Sequence, residues 1–542
     1  MSSGKKVLVI GIDGGDWRLL QPFLNDGCMP NLDKIINSGS WGILESTVPP
    51  ITPVAWSSFQ TGSKPLKHGV LGFRNVKVTD NNSVEYSYVD TTSLSVPTLW
   101  QYLSELGKEV GVINLPMTYP PQPVKGFMVT GFPTPSNRAN YTYPRELKEE
   151  ILKFAPLYSV PIPARGRKRG IAKSEVSRFI EKMIDVVKTR VKVASYLQNK
   201  LSWDVLMVHF QAPDWVQHSL WPFFAPEGAL FDEKIYRLVS KFYTALDEAI
   251  RVLSKSLREE DTVIIISDHG FQDGKKVFRV NQWLMQRGYL IKGGRDFSSF
   301  LKSFASGTLR RLDVLSLRKK LLSRQTRISL QSKFLLRGLL NWEDSLLYVD
   351  ASGTNYGMVY FLNRDGVDKA SLIREIKDIK NPATGEKVVE ACLPGSKIYG
   401  SGDGKHLAIP DYVIVLKEGY VFDASLSGGP VFKEKEVGKD FQIGAHRLDG
   451  IFIFKGPFIK VDCGNLKARI IDIMPTLLHC LSLPIPSYVD GDVLEEIFVE
   501  GFMKKNPLKK VDYETAALRQ TSSLSQEEQQ QIEARLRDLG YL

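Results

Sequence analysis

The chain has 542 residues, 43% hydrophobic and 24% charged, enough to bury a large core in two to four domains or in one domain with insertions, which excludes a largely disordered chain. Its four cysteines, Cys28, Cys392, Cys463 and Cys480, have no CxxC spacing, which speaks against a zinc knuckle or a disulfide scaffold and fits reduced cytoplasmic thiols. The net charge of +11 is local: twelve Lys and Arg fall between Lys292 and Arg337 against Asp296 and Asp313 alone, so the rest of the chain is near neutrality.

Taken in chain order, MSSGKK leads straight into the apolar strand KVLVIGID, leaving no room for a signal peptide. No uninterrupted apolar run reaches the roughly 18 residues of a membrane helix, so a soluble, cytoplasmic protein is expected. Asp13 ends that first strand, and Gly14 and Gly15 after it let the backbone turn sharply. A Pro-rich approach, PPITP, brings in Thr52 and an amphipathic segment that ends at Thr61-Gly62. The strand KEVGVINLP follows, then a small insertion from Thr134 to about Lys173 with the basic run VPIPARGRKRG. The helix VSRFIEKMIDVVKTRVKVASYLQNK, the strand WDVLMVHF, the helix KIYRLVSKFYTALDEAIRVLSKSL and the strand DTVIIISD complete the alternation. Between His269 and His446 the pattern breaks. The first half of that stretch is helical, leucine-rich and basic, with Leu309, Leu312, Leu315 and Leu322 as an apolar stripe, and the second half (NYGMVYFLN, DYVIVLKEGYVFD) is strand-like. It is expected to be an inserted cap. DGIFIFKG is a late strand, and Ser525 with Glu528 has capping-box spacing at a final helix. The expected organisation is a core of 1–275 closed by 440–500, a cap of 276–439 carrying the basic segment 292–337, and a helical tail of 501–542. No internal repeats occur. Apolar strands alternating with helices predict an α/β fold with a mostly parallel sheet covered on both faces, whose ligands gather at the carboxyl ends of the strands.

Seven side chains in five blocks carry the chemistry: Asp13, Thr52, Asp214, His218, Asp268, His269 and His446. Such oxygen and imidazole donors suit zinc or a similar divalent ion, and two ions a few ångströms apart are a device for phosphoryl transfer. Each signal alone has an ordinary alternative. Asp13 before glycines also reads as a turn or helix cap, and Thr52 as an N-cap with proline at the first helical position. Asp214 and His218, one helical turn apart, also read as a surface pair. Asp268 and His269 end a buried strand where ionisable groups need partners, and a structural charge network would supply them. His446 is one loop histidine. Together the seven read as a two-metal phosphohydrolase. Among the other four histidines His68 is a candidate to line the site, and His209, His406 and His479 read as structural or exposed.

These blocks resemble the alkaline phosphatase superfamily, in particular its type I phosphodiesterase and nucleotide pyrophosphatase branch and the predicted phosphohydrolase/phosphomutase relatives. The resemblance covers GIDGGD with MPNLDKIINSG, TPVAWSSFQTGSKPLKHGVLGF, PDWVQH, SDHGF, GAHRLDGIFIFKGP and IIDIMPTLLHCLSLPIPSYVDGDVL, and leaves out the inserted cap. It implies an alkaline-phosphatase-like three-layer α/β sandwich with a mostly parallel central sheet and an inserted cap domain. It further implies that Asp13, Thr52, Asp268 and His269 surround one ion, with Thr52 the nucleophile of a phosphothreonine intermediate, and that Asp214, His218 and His446 hold the other. Zinc is the expected metal, with manganese or iron as alternatives. Family members resembling this chain use an Asn beyond the TG dipeptide to hold phosphate, and here the region reads GFRN, so that Arg74 or Asn75 takes the role; an Arg suits a monoester and an Asn a diester. The sulfatase pattern C/S-x-P-x-R is missing around Thr52.

The expected activity is metal-dependent hydrolysis of a phosphodiester or nucleotide pyrophosphate bond. The alternatives are monoester hydrolysis, phosphoryl transfer by the same nucleophile as in a mutase, and a non-catalytic binder of polyanions or membrane surfaces. The expected partner is a small phosphorylated substrate, namely a nucleotide, a phosphodiester or a lipid headgroup. Segment 292–337 adds an anionic membrane surface or polyanion, against the plainer reading of a helix packed on its own domain with solvated Lys and Arg. Sparse aromatics there give no support to sequence-specific nucleic-acid reading.

Overall fold

Every residue of Val7–Ile12 (β1) is buried, and its alternation serves two cores at once. Leu8, Ile10 and Ile12 pack with the helices Trp17–Asn25, Val176–Lys200, Ala212–Phe224 and Glu233–Ser254. Val7 and Val9 point the other way, toward the helices Thr52–Thr61, Leu99–Glu105 and Ile473–Cys480. A strand that is apolar on both faces belongs in the middle of a helix-covered sheet, and β1 sits there. This computed structural model describes residues 5–79, 82–161, 170–226, 228, 230–293, 340–351, 353–363, 368–400, 407–426, 429–437, 440, 443–461, 463–513 and 524–538.

The other strands of this sheet are Ser40–Glu45 (β2), Val110–Ile113 (β3), Gly126–Val129 (β4), Thr142–Tyr143 (β5), Val205–Phe210 (β6), Thr262–Ile266 (β7), Asp449–Lys455 (β8) and Cys463–Arg469 (β9). Their order is β9-β2-β8-β7-β1-β6-β3-β4-β5. The run β7-β1-β6-β3-β4 is parallel throughout, β2 and β9 are parallel to each other, and β8 and β5 are the antiparallel members. The expected three-layer α/β sandwich with a mostly parallel sheet is the fold observed. Because β2 opposes β8 and β8 opposes β7, the carboxyl ends of β2, β7, β1 and β6 lie along one edge.

The sheet belongs to a compact unit made of Met1–Phe73, Val89–Lys275 and Lys435–Ser523. A second unit comprises Arg74–Tyr88, Lys276–Glu434 and Leu524–Leu542. Its core gathers Leu347, Val349, Met358, Val359, Ile414 and Leu416 from a four-stranded antiparallel sheet, with Val76 and Val84 from the hairpin Arg74–Val78/Val84–Tyr88. In its last helix, Gln526–Asp538, the Glu528 carboxylate accepts from Ser525 N–H at 2.9 Å and the Ser525 hydroxyl accepts from Glu528 N–H at 3.3 Å, the reciprocal bonds of a capping box. The basic segment 292–337 lies outside the described residues except for Lys292 and Gly293, as do 162–169 of the small insertion and His406. Among the described residues no helix is long and apolar enough to cross a membrane.

Candidate metal centre

Three adjacent parallel strands deliver the three carboxylates. Asp13 directly follows β1, Asp268 follows β7, and Asp214 stands in the first turn of the helix after β6, with Ile12 in register with Phe210 and Gly11 with Ile266. One turn after Asp214, His218 brings its Nε2 to 3.3 Å from the Asp214 carboxylate. His269 follows Asp268, and its Nε2 lies 3.3 Å from Asp268 and 3.4 Å from Asp13. His446 arrives from far along the chain through a short antiparallel ladder, Gly270–Asp273 with Gly444–Arg447, which sets it opposite Phe271. Its Nε2 is then 3.2 Å from Asp214 and 2.9 Å from His218 Nε2, and its ring stacks on His269 at 3.6 Å. Six of the seven expected side chains therefore converge, all but wholly buried; five of them form two groups that share His269, one with Asp13 and Asp268 and one with Asp214 and His446, and His218 adjoins the second.

Thr52 is the first residue of the helix Thr52–Thr61, and Ile51, not Thr52, is its cap. The capping alternative for this threonine is thereby removed, because no side-chain cap bond forms at that helix start. The Pro50 carbonyl two residues earlier accepts a hydrogen bond from His446 Nδ1–H at 2.9 Å, which ties the approach of Thr52 to the second ligand group. Asp13 is no cap either: Asp16 caps the helix Trp17–Asn25.

The histidine tautomers fit ligand roles. Nδ1–H of His218 donates to the Gly444 carbonyl at 2.7 Å, that of His269 to the Gly270 carbonyl at 3.2 Å, and that of His446 to Pro50. A neutral ring that donates from Nδ1 keeps a lone pair on Nε2, and in all three rings Nε2 faces the carboxylates. Both oxygens of Asp13, Oδ2 of Asp268 and Nε2 of His269 are buried without a hydrogen-bond partner. Burial, then the charges of Asp268 and Asp214, hold the Asp13 carboxyl well above the usual carboxylate range, and burial does the same to Asp268. Burial also works to raise Asp214, but His218 and His446 outweigh it and hold that carboxyl below its ordinary value. Burial keeps His269 and His446 neutral by lowering them. Converging acceptors left unpaired in a dry interior are costly unless cations lie among them, so this donor set fits two divalent ions.

A family model described as type I phosphodiesterase / nucleotide pyrophosphatase matches residues 7–446. The chain belongs to that family. As a member of that family, within the alkaline phosphatase superfamily, it is a hydrolase acting on phosphoester bonds. Its fold is similar to that of phosphonoacetate hydrolase from Sinorhizobium meliloti 1021, solved with phosphonoacetate, at 14% identity and a TM-score of 0.55 over 88% of this chain and 95% of that one. Murine ectonucleotide pyrophosphatase / phosphodiesterase 5 is similar at 13% identity and a TM-score of 0.51 over 91% of this chain and all of that one. No curated protein matches the chain.

Outside the candidate ligand set, this phosphodiesterase-family chain places the remaining expected residues as follows. His68 is fully buried: its Nδ1 accepts from Val70 N–H at 3.2 Å and its Nε2 bonds to the Ser58 hydroxyl at 2.9 Å. Arg74 and Asn75 lie in the hairpin of the second unit, where the Arg74 guanidinium bonds Asp350 at 2.7 Å and covers the Tyr86 ring at 3.6 Å. Sequence reasoning set His209 aside, yet its Nε2 is 3.3 Å from Asp13 Oδ2. A usable signal existed: a histidine as the penultimate residue of the otherwise apolar strand VLMVHF, which ends two residues before the PDWVQH block.

Proposed function

We propose that the protein cleaves a phosphodiester or nucleotide pyrophosphate bond through a phosphothreonine on Thr52, at a centre of two divalent ions of which zinc is the favoured kind. The observation that carries this reading is the convergence of unpaired, buried ligand atoms from Asp13, Asp268 and His269 beside Asp214 and His446, against which His218 also packs. Asp13, Asp268 and His269 would hold one ion together with the Thr52 hydroxyl, and Asp214, His218 and His446 the other. When bound, such ions supply Lewis acidity toward phosphoryl oxygens and lower the pKa of a hydroxyl or a water.

The chain's own residues do the rest. The helix Thr52–Thr61 fixes the Thr52 hydroxyl at its first turn, and Pro53 after it leaves no N–H to compete for that hydroxyl. Thr52 Oγ1 forms the bond to phosphorus as the bond to the leaving oxygen breaks on the opposite side. Water then attacks the phosphothreonine, returning the Thr52 hydroxyl, and two inversions give overall retention at phosphorus. Burial of the ligand shell excludes bulk water and strengthens the field on the bound phosphate. Arg74 is neutralised by Asp350, which removes the extra cation that a monoester would use and favours the diester reading. The family description and the AMP complex of murine ectonucleotide pyrophosphatase / phosphodiesterase 5 support a small phosphorylated substrate.

The test is turnover of bis-p-nitrophenyl phosphate and p-nitrophenyl phosphate by purified protein loaded with zinc or with manganese. The expected result is faster cleavage of the diester, abolished in Thr52→Ala while that variant still binds metal. A Thr52→Ala protein with wild-type turnover would end the phosphothreonine proposal, and a faster monoester would reverse the substrate preference.

A further inference from the structure

His209 stands beside the ligand group and belongs to no part of the set described so far. It is fully buried in β6, in register with Gly11 of β1, and neither ring nitrogen makes a well-aligned hydrogen bond to a side chain. Its Nε2 is 3.3 Å from Oδ2 of Asp13, whereas Oδ1 of the same carboxylate faces His269 at 3.4 Å. The two Asp13 oxygens thus look in different directions, one into the ligand group and one toward His209.

Both the ring and the backbone of His209 are held in place. Trp56, from the helix that starts at Thr52, meets it edge-on at 4.8 Å. Arg190 donates to the His209 carbonyl at 3.4 Å, and the neighbouring Phe210 carbonyl accepts from Asp13 N–H at 3.0 Å. Gly11 makes the space: a Cβ there would come within 2.8 Å of Trp56 Cη2 and 3.0 Å of His209 Cδ2. An imidazole placed this way leaves desolvated polar atoms that an apolar side chain of the same volume would not, so its place against Asp13 calls for a role beyond filling volume.

We propose that His209 is a positioning residue for Asp13: its Nε2 stands 3.3 Å behind Oδ2 and becomes the partner of that oxygen when an ion is bound, so that Oδ1 is presented to the ion on the Asp268 and His269 side. The partner of a ligand's outer atom fixes its orientation, and loss of such a partner weakens metal binding by roughly 10–100-fold. This inference rests on the two-metal reading. Trp56 also makes His209 a packing link between Asp13 and the helix carrying Thr52.

The experiment is titration of chelator-stripped protein with zinc alone, followed with a competing chromophoric chelator, for wild type, His209→Leu and His209→Gln. Wild type is expected to take two ions. His209→Leu is expected to bind one of them roughly 10–100-fold more weakly and the other unchanged. His209→Gln, which keeps an N–H donor, is expected to recover most of the loss. Unchanged affinities in His209→Leu would overturn the proposal, as would equal losses in Leu and Gln, which would mean packing alone. Should the Leu variant not fold, His209→Met serves the same comparison. A wild-type protein that takes up no zinc would sink the two-metal reading and this inference with it, whereas two ions bound with the same two affinities in wild type and in His209→Leu would sink only the inference.

Discussion

Replacing Gly14 by alanine tests how the three clustered histidines, His218, His269 and His446, are supported. Gly14 has φ +74°, a left-handed conformation that costs an L residue about 1–2 kcal/mol. An added Cβ would also lie 2.6 and 2.9 Å from Phe271 Cε2 and Cδ2 and 3.1 Å from Gln217 Nε2. The Phe271 ring has little room to retreat, because His218 at 4.8 Å, His446 at 5.2 Å, His269 at 5.7 Å and Trp221 at 5.8 Å surround it. Overpacking of a filled core adds about 1–3 kcal/mol, so Gly14→Ala is expected to lose about 2–5 kcal/mol in all. Gly27 is the matched control: its φ is +69° and a Cβ there meets nothing within 4 Å, so Gly27→Ala should lose only the backbone part, about 1–2 kcal/mol. Urea unfolding of the two metal-free variants gives the difference, and zinc titration of each reports the site. Zinc affinity should fall in Gly14→Ala and hold in Gly27→Ala. Equal stability losses in the two, or wild-type zinc affinity in Gly14→Ala, would refute the claim that Phe271 is the packing base of the three histidines.

Metal binding should release protons, because Asp13 and Asp268 have carboxyls raised well above the ordinary range and an arriving cation displaces what they hold. Calorimetric titration with zinc at pH 6 in buffers of different ionisation enthalpy measures this, and a buffer-independent enthalpy would contradict it. His68 predicts a pH dependence of stability: burial lowers its pKa from 6.5 to about 3. Since the folded value lies below the unfolded one, folding favours the neutral ring. The stability it contributes is complete above about pH 6.5 and is lost as pH falls toward 3, at up to about 1.4 kcal/mol per pH unit. Denaturant unfolding at pH 7 and pH 5 should show a smaller difference in His68→Gln than in wild type, and an unchanged difference would count against the assignment.

The catalytic sheet was readable because its strands are buried on both faces. KVLVIGID, WDVLMVHF and DTVIIISD are near-continuous apolar runs, and they became three adjacent parallel strands with an aspartate beyond each carboxyl end. Asp214 with His218 was readable from the four-residue spacing, and the Ser525–Glu528 box from three-residue spacing, since helical geometry alone brings such pairs together. Other features left no comparable trace. Nothing in VEYSY or GFRNVKV marks the hairpin 74–88 as part of the second unit rather than of the sheet-bearing one. His209 looked like one more core position, because which face of a strand meets a ligand shell depends on its neighbours and not on its own composition.

What the chain's order of residues determined by itself was chemistry within one strand end or one helical turn, where covalent geometry leaves few conformations. It supplied the carboxylates, the Asp–His pair and a threonine ahead of a proline. The tertiary structure decided which of these share a site. His446 joins Asp214 across 232 positions only because the Gly270–Asp273 and Gly444–Arg447 ladder closes, and His209 reaches Asp13 only because β6 lies beside β1. Such meetings come from burying two sheet faces at once, a condition on the whole unit that no short stretch of sequence contains.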